Sequence, residues 1–282
     1  MNSVSQPTGD RSAPRITVVG SANVDLVARC AHLPRPGETV TDAELERFPG
    51  GKGANQAVAT ARLGAHTRFI GRIGRDELVL RSLEREGIDT SGVTREDGEG
   101  GVALILVEES GENVIVVAPG ANRRLQPDEV AIGETDAVIC QLEIPLATVA
   151  AAAAQAPFFC LNAAPARGRL ELEADLLVVN RYEYELVGPR HGLVALTLGA
   201  EGAVLLEDGR EIARAAPPRV QTVDGTAAGD AFCAALVFSL LEGREREEAL
   251  RRACAAGALA ASRMGAQPSL PTAAELDEIL AA

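Results

Sequence analysis

Short hydrophobic runs alternate along the chain with longer segments of helical period. The run at 15–19, RITVV, is rich in β-branched residues and predicts a short buried strand. The residues at 20–23 would form a loop after this strand. Similar runs recur at 102–107, 114–118, 136–142, 158–162, 175–179, 193–198 and 203–206. Helical spacing lies between many of them, at 54–63, 76–86, 145–155, 228–242, 245–264 and 272–280. This alternation predicts an α/β fold with a mostly parallel sheet covered on both faces, which binds ligands at the carboxyl ends of its strands.

Two segments depart from the alternation. Residues 101–118 have the pattern strand, turn (Glu108 to Asn113) and strand, which predicts a hairpin. Residues 38–48 show partial period-two alternation with β-branched residues. Together they predict a small antiparallel β lid, with segments at about 27–49 and 100–118, on a single domain that covers 15–282. The polar segment 1–14 has no apolar core and is expected to be a disordered leader.

Composition excludes several classes of protein. The chain is 46% hydrophobic and 24% charged, with a formal net charge of −13, which is typical of a globular protein without the basic surface that nucleic acid or anionic membranes require. No apolar stretch is long enough for a membrane span. The five cysteines include no CxxC pair, and the three histidines are scattered. We therefore expect free thiols, no thiolate or histidine metal site, and a cytoplasmic protein.

The segment DGTAAGD at 224–230 leads directly into a predicted apolar helix. The amides of Ala227, Ala228 and Gly229 at this helix start could hold a developing phosphate charge. Asp230 could either cap the helix or take a proton from an attacking hydroxyl, and the segment alone does not decide between the two. The P-loop motif and the dinucleotide-binding fingerprint are both absent.

A second polar segment, GGKGAN at 50–55, contains the only lysine of the chain, Lys52. Its glycines allow a ligand to approach the backbone, while Lys52 and Asn55 could bind hydroxyl groups; a glycine-rich turn before a helix is the plainer explanation. Asn23 and Asp25 are spaced to bind a vicinal diol, although an Asx turn would also account for them.

These segments together resemble the ribokinase/PfkB family of carbohydrate kinases. The resemblance runs over roughly residues 15–280 and rests on a set of motifs in the family's order: SANVD (21–25), PGETV (36–40), GGKGANQAVA (50–59), GVALI (101–105), GENVI (111–115), GAN (120–122), QLE (141–143), LNAAPAR (161–167), NRYE (180–183), LTLGAEG (196–202), DGTAAGD (224–230) and GAQPS (265–269). It implies a ribokinase-like three-layer α/β/α sandwich with a β lid.

The same resemblance implies ATP-dependent phosphorylation of D-ribose at its 5-hydroxyl. Asp230 would be the general base, and the amides of 227–229 would form the anion hole. The other implied roles are sugar binding by Asn23, Asp25, Gly51, Lys52, Asn55 and Glu143; nucleotide binding by Asn180, Glu183, Thr197, Gly199, Gly202 and Gly229, with Mg²⁺ held through water by Glu183; and K⁺ binding by Asp224, Thr226, Ala260, Arg263, Gly265 and Ser269. A homodimer formed through the lid is also implied.

Two departures from the family pattern bear on these expectations. Gly225 stands where the family usually has threonine, which could weaken the K⁺ site. The crossover between Asn180 and Leu196 is short, so 182–188 can form only a turn or two of helix and one sheet face would be thinly covered. Two alternatives stay open: a kinase for 2-deoxyribose, fructose or adenosine, and a catalytically silent sugar- or nucleotide-binding protein.

Overall fold

A computed structural model describes residues 12–109, 112–166, 168–188 and 191–282 of the chain. Most of the predicted leader, and Ser110 and Gly111 of the predicted hairpin turn, therefore lie outside the described residues. The strands are β1 (Arg15–Val19), β2 (Asn23–Cys30), β3 (Glu44–Gly50), β4 (His66–Ile73), β5 (Asp89–Arg95), β6 (Gly101–Glu108), β7 (Asn113–Ala118), β8 (Ala137–Gln141), β9 (Phe159–Asn162), β10 (Leu176–Asn180), β11 (Leu193–Thr197), β12 (Ala203–Glu207) and β13 (Arg210–Ala215). The α-helices are α1 (Lys52–Arg62), α2 (Leu78–Arg85), α3 (Leu146–Ala153), α4 (Arg181–Val187), α5 (Ala228–Leu241), α6 (Arg246–Ala261) and α7 (Ala273–Ala281).

The large sheet has the strand order β13-β12-β11-β10-β9-β8-β1-β4-β5. Its pairs are parallel except at one end, where β12 pairs antiparallel with β11 and with β13. Ile16 and Val18 pack in one hydrophobic cluster with α1, α5 and α6, whereas Val19 packs in a second cluster on the opposite face with Val149 of α3. Successive β1 side chains therefore point to opposite faces, each covered by helices. The predicted three-layer α/β/α sandwich is confirmed.

The small sheet has the order β3-β2-β6-β7. β6 and β7 form the predicted antiparallel hairpin, and β2 pairs antiparallel with β3. One pair differs from the prediction, because β2 and β6 are parallel. These two strands are far apart in sequence, and each follows a strand of the large sheet (β1 and β5), so both enter the small sheet in the same direction.

Several strands have sequences that do not predict them. Asn23 begins β2, although 20–23 was expected to be a loop, and β4, β5 and β13 contain too many polar residues to form hydrophobic runs. β5 and β13 lie at the two edges of the large sheet, where polar side chains meet solvent. The expected strand at 38–48 occurs later, as β3.

Among the described residues of the crossover between β10 and β11, the only helix is α4, with seven residues, as the length of the crossover predicts. Gly188 ends this helix with a positive φ of 77°. In the described part of the chain, we found no helix with the length and apolar character that a membrane crossing requires.

Candidate active site

A cavity of about 410 Å³ lies between the small sheet and the carboxyl ends of β9, β10 and β11. The N-terminal ends of α1 and α5 complete its wall. The structure brings together at this cavity most of the residues that the sequence singled out: Asn23, Asp25, Gly51, Lys52, Asn55, Glu143, Asn180, Glu183, Thr197, Asp224, Thr226, Ala227, Gly229 and Asp230. Its position agrees with the general rule for ligand sites in parallel sheets.

Asn23 and Asp25 reach the cavity because β2 is a strand rather than a loop. Residues two apart on a strand share one face, and both side chains line the cavity. Asn122 fixes the first of them: its Nδ2 donates to Asn23 Oδ1 at 2.7 Å, while its Oδ1 accepts from the Ala22 amide at 2.9 Å. Both residues thus belong to a strand, which leaves the Asx-turn explanation without support.

Asp25 is a buried carboxyl group among other carboxyl groups. Burial, followed by the charges of Glu143 and Asp230, raises the pKa of Asp25 to about 7. A Cβ on Gly50 would lie 2.1 Å from Asp25 Oδ2, so this position of β3 must be a glycine for the Asp25 side chain to fit. Asp25 is therefore a group of changeable charge at neutral pH, inside the cavity.

The GGKGAN segment begins α1, with Gly51 as its N-cap at a φ of 92°. Glu143 Oε2 accepts from Ser21 Oγ at 2.5 Å and from the Lys52 amide at 3.2 Å, which ties the start of α1 to the end of β8. Burial lowers the pKa of Lys52, but the carboxylates of Asp230, Glu143 and Glu183 together raise it above its ordinary value. The Lys52 ammonium is thus the positive charge that balances the carboxylates around the cavity.

Asp230 lies in the first turn of α5, but its side chain does not cap that helix. Its Oδ2 accepts from Asn55 Nδ2 at 3.0 Å, and its Oδ1 accepts from Gln56 Nε2 at 2.9 Å, both across from α1. Burial raises the pKa of Asp230, while Lys52 and these two hydrogen bonds oppose the rise. The Asp230 side chain therefore does not cap α5, and it places a buried carboxyl group on the cavity wall.

The loop before α5 has unusual backbone geometry. Ala227 adopts a left-handed conformation (φ 60°, ψ 3°), which is costly for a residue with a Cβ. Asp224 holds the loop, because its Oδ1 accepts from the Thr226 amide and hydroxyl and its Oδ2 from the Gly265 amide. Ala228 donates its amide to Gly225 O at 3.3 Å, and it does not line the cavity, whereas Ala227 and Gly229 do.

Asn180 and Glu183 form a capping box at the start of α4. Asn180 Oδ1 accepts from the Glu183 amide at 2.8 Å, and Glu183 Oε2 accepts from the Asn180 amide at 2.9 Å. Burial raises the pKa of Glu183, although the Asn180 amide and Lys52 oppose it. The spacing of this motif thus has a structural cause, and both residues also line the cavity.

The remaining nucleotide and K⁺ candidates lie away from this cavity. Gly202 has a φ of 93°, and a Cβ there would lie 2.0 Å from Ala215 O, so the turn that contains Gly199 and Gly202 requires glycine at Gly202 for structural reasons. Ala260 and Ser269 are fully buried. Arg263 pairs with Glu275, while Gly265 lines a neighbouring cavity of about 870 Å³ together with Asp224. Within the described ranges there is no cluster of three or more His, Cys, Asp or Glu side chains suited to a metal.

Four polar side chains behind and beside the cavity have no role predicted from the sequence: Ser21, Gln56, Asn122 and Gln141. Gln56 and Gln141 are fully buried, and Gln56 bonds directly to Asp230. Asn122 orients Asn23, and Ser21 bonds to Glu143. All four lie within motifs of the family resemblance (SANVD, GGKGANQAVA, GAN and QLE), and this was the signal that could have identified them.

Known proteins resemble this chain in sequence and in fold over most of its length. Residues 13–273 match the family model described as pfkB family carbohydrate kinase. A ribokinase of Haemophilus influenzae is 37% identical, with coverage of 94% of this chain and 98% of that protein. A crystal structure of ribokinase from Thermotoga maritima is 33% identical with a TM-score of 0.86, covering 95% of this chain and 100% of that one. The structure of Arabidopsis thaliana ribokinase complexed with ribose and ATP is 30% identical with a TM-score of 0.83, covering 95% and 99%.

Proposed function

Because the chain belongs to the pfkB family of carbohydrate kinases, we propose that it transfers the γ-phosphoryl group of ATP to the 5-hydroxyl of D-ribose. The relatives named ribokinase cover nearly the whole chain, and one of them is described as a complex with ribose and ATP. The single observation that carries the proposal is the placement of Asp230. This buried carboxylate accepts hydrogen bonds from α1 and lines a cavity whose other groups suit a polyhydroxylated ligand.

The sugar would be held by groups from both sheets and from α1. Asn23, Asp25 and Glu143 offer carboxyl and amide oxygens, and Lys52 offers an ammonium group. Asn55 Oδ1 is buried without a hydrogen-bond partner among the described residues, and it is placed to accept from a sugar hydroxyl. These groups would fix the primary hydroxyl of the sugar beside Asp230.

Phosphoryl transfer needs positioning and charge stabilisation rather than covalent help from the protein. Asp230 takes the proton as the O–H bond of the sugar breaks, the oxygen forms its bond to the γ-phosphorus, and the bond from that phosphorus to the ADP oxygen breaks. The amides of Ala227 and Gly229, at the positive end of α5, stabilise the charge that develops on the transferred group.

The residues at the carboxyl ends of β10 and β11 and at the start of α4 fit a nucleotide with Mg²⁺. Mg²⁺ is commonly held by one or two carboxylates together with substrate phosphates, and Glu183 places a buried carboxyl group on the cavity wall. When bound, Mg²⁺ would neutralise phosphate charge. Asn180, Glu183 and Thr197 would face the phosphates, while the turn with Gly199 and Gly202 would border the rest of the nucleotide.

The loop at 224–226 fits a K⁺ ion, because it offers only oxygen ligands. Burial opposes ionisation of Asp224, but the hydrogen bonds from Thr226 and Gly265 hold the pKa of its carboxyl group below its usual value. Thr226, Ala260, Arg263, Gly265 and Ser269 complete the proposed set, several of them through backbone carbonyls. A bound K⁺ would fix the loop that precedes the α5 amides.

A substrate panel tests the proposal. We expect ATP-dependent turnover with D-ribose to exceed that with 2-deoxyribose, fructose or adenosine. Asn23 and Asp25 would bind two adjacent hydroxyls of ribose, and 2-deoxyribose lacks one of them. A preference for adenosine would move the assignment to a nucleoside kinase. Binding of ribose without turnover of any substrate would favour the silent binding protein.

The small sheet also supports a homodimer. On its face away from the cavity, Leu45, Leu104, Val114 and Val116 are all exposed, and β7 is an edge strand. An exposed apolar face beside a free edge strand suits pairing with a second copy of the chain. Sedimentation of the wild type and of Val116→Glu would test this, since only the wild type should sediment as a dimer; two identical monomer profiles would refute it.

A cytoplasmic location also belongs to this proposal. All five cysteines are buried and free, as expected for a reducing compartment. Cell fractionation is the test, and recovery outside the cytoplasm would refute this part of the proposal.

A further inference from the structure

A connected group of buried amide side chains lies behind Asp230. Gln56 belongs to α1, Gln141 ends β8 and Asn162 ends β9. Gln56 and Gln141 are fully buried, and neither lines the cavity. Both therefore lie on the side of Asp230 that faces the core, away from the sugar and nucleotide groups.

Gln56 donates hydrogen bonds to Asp230 and Asn162 and accepts one from Gln141. Its Nε2 donates to Asp230 Oδ1 at 2.9 Å and to Asn162 Oδ1 at 3.2 Å, which uses both of its N–H groups. Its Oε1 accepts from Gln141 Nε2 at 2.6 Å. Asn162 in turn donates to Val178 O at 3.2 Å, in the backbone of β10. An ionised carboxylate only accepts, so this order is the one that suits a charged Asp230.

From this geometry we propose that Gln56 is a positioning residue for Asp230 and that Gln141 orients Gln56. The proposal rests on the assignment of Asp230 as the proton acceptor. Asn55 holds the other carboxyl oxygen but faces the cavity, where it would also meet substrate. Gln56 is the partner that holds the carboxylate while the ligand changes, because its own side chain does not line the cavity and its other bonds go to Gln141 and Asn162, at the ends of β8 and β9.

Other charged and titratable groups lie near Asp230. Lys52 comes from α1, Glu143 follows β8, and Asp25 projects from β2. Cys233 lies one turn further along α5, 3.7 Å from Cys160 of β9, and its thiol is neutral because that contact and burial raise its pKa. Against this background, loss of the Gln56 hydrogen bond removes a stabilising contact from the charged form of Asp230. The titration of Asp230 should therefore move to higher pH.

The kinetic test compares Gln56→Met and Gln141→Met with the wild type. Methionine keeps the length of glutamine and removes its hydrogen bonds. We expect kcat with D-ribose to fall roughly 10- to 100-fold for Gln56→Met, and less for Gln141→Met, with little change in the KM for ribose. The acid limb of the pH–kcat profile should move to higher pH in both variants.

Thr60→Val is the matched control. Thr60 is fully buried on the same helix, and its hydroxyl bonds to Thr67 and to the backbone carbonyls of Gln56 and Ala57, but not to the Gln56 or Asp230 side chains. This variant should keep the wild-type kcat and pH profile. If it shifts the profile as Gln56→Met does, general loosening of α1 is the cause and the proposal is wrong.

A direct titration separates this proposal from the proposed function. The Cγ signal of Asp230, in protein labelled with ¹³C at aspartate carboxyl carbons and assigned with Asp230→Asn, reports its ionisation without any turnover. Loss of a hydrogen bond to a charged group should raise the midpoint by about one to two pH units in Gln56→Met. An inert wild type would refute the kinase assignment, while the titration would still decide the role of Gln56. If Gln56→Met does not fold, Gln141→Met decides it; an unchanged midpoint overturns the proposal.

Discussion

Asp25 is the cavity carboxyl group whose protonation changes near neutral pH. Its side chain is only 7% exposed, and its pKa is raised from 3.8 to about 7, first by burial and then by Glu143 and Asp230. Between these two values the folded chain keeps a proton that the unfolded chain releases. Raising the pH from about 4 to about 7 therefore destabilises the folded state, and the effect levels off above 7.

We predict that Asp25→Asn becomes more stable relative to the wild type as pH rises through this window. The difference in unfolding free energy should grow by up to about 4 kcal/mol, from about three pKa units at about 1.4 kcal/mol each. Urea unfolding of both proteins at several values between pH 4 and pH 8 measures it. A difference that stays constant over this range would contradict the shifted pKa.

The residues of the site were predictable from sequence, but several of their contacts were not. DGTAAGD identified Asp230 as either a cap or a base. The side chains that decide between them, Asn55 and Gln56, lie 175 and 174 positions away in the chain. Sequence patterns report local periodicity and do not report which distant side chains meet, so Gln56 lay within a recognised motif without a predicted role.

At the level of elements, the close packing of α1 against the end of β1 positions the site. Gly53 lies so near the backbone after β1 that an added Cβ would be 2.6 Å from Ser21 N and from Gly20 C. Ala54 donates its amide to Ser21 O at 2.9 Å at the same place. Any side chain at Gly53 must therefore move the start of α1, which contains Lys52, Asn55 and Gln56.

We predict that Gly53→Ala lowers the unfolding free energy by about 1–3 kcal/mol, because it overpacks a backbone contact. Activity should fall with it, since the site groups on α1 shift. Gly225→Ala is the comparison for stability, because no described atom lies within 4 Å of an added Cβ there. Thermal unfolding of both variants measures the effect, and equal melting temperatures would contradict the packing argument.

The short crossover predicts uneven protection along the large sheet. α4 has seven residues, and β11 is only partly buried, whereas four of the five residues of β1 are buried. Amides of β11 should therefore exchange with solvent faster than those of β1. Hydrogen exchange measured by mass spectrometry or NMR is the test. Equal protection of the two strands would mean that the crossover covers the sheet as well as a longer one would.

The position of a strand in the sheet explains whether the sequence could predict it. Strands buried on both faces, such as β1 and β8, are continuous apolar runs and were identified. β5 (DTSGVTR) and β13 (REIARA) lie at sheet edges and have the composition of loops. Their strand structure comes from pairing with a neighbour, which is a tertiary effect that a local pattern does not contain.

For the whole molecule, the site depends on how the two sheets meet. The small sheet provides Asn23 and Asp25, the large sheet ends at Asn162, Asn180 and Thr197, and α1 and α5 close the cavity between them. None of these elements forms the site alone. The chain order of the motifs identified the family, whereas the cavity and the orientation of each group required the folded structure.

The most direct test of the account is ribose-dependent release of ADP by the wild type and by Asp230→Asn, with ATP and Mg²⁺, in K⁺ and in Na⁺ alone. Asp128→Asn, at an exposed position, is the control. We predict turnover by the wild type and by the control, enhanced by K⁺, and a loss of about 10²- to 10⁴-fold in Asp230→Asn. Calorimetry should show that this variant still binds ribose. Undiminished turnover by Asp230→Asn, or no ribose-dependent ADP release by the wild type, would contradict the account.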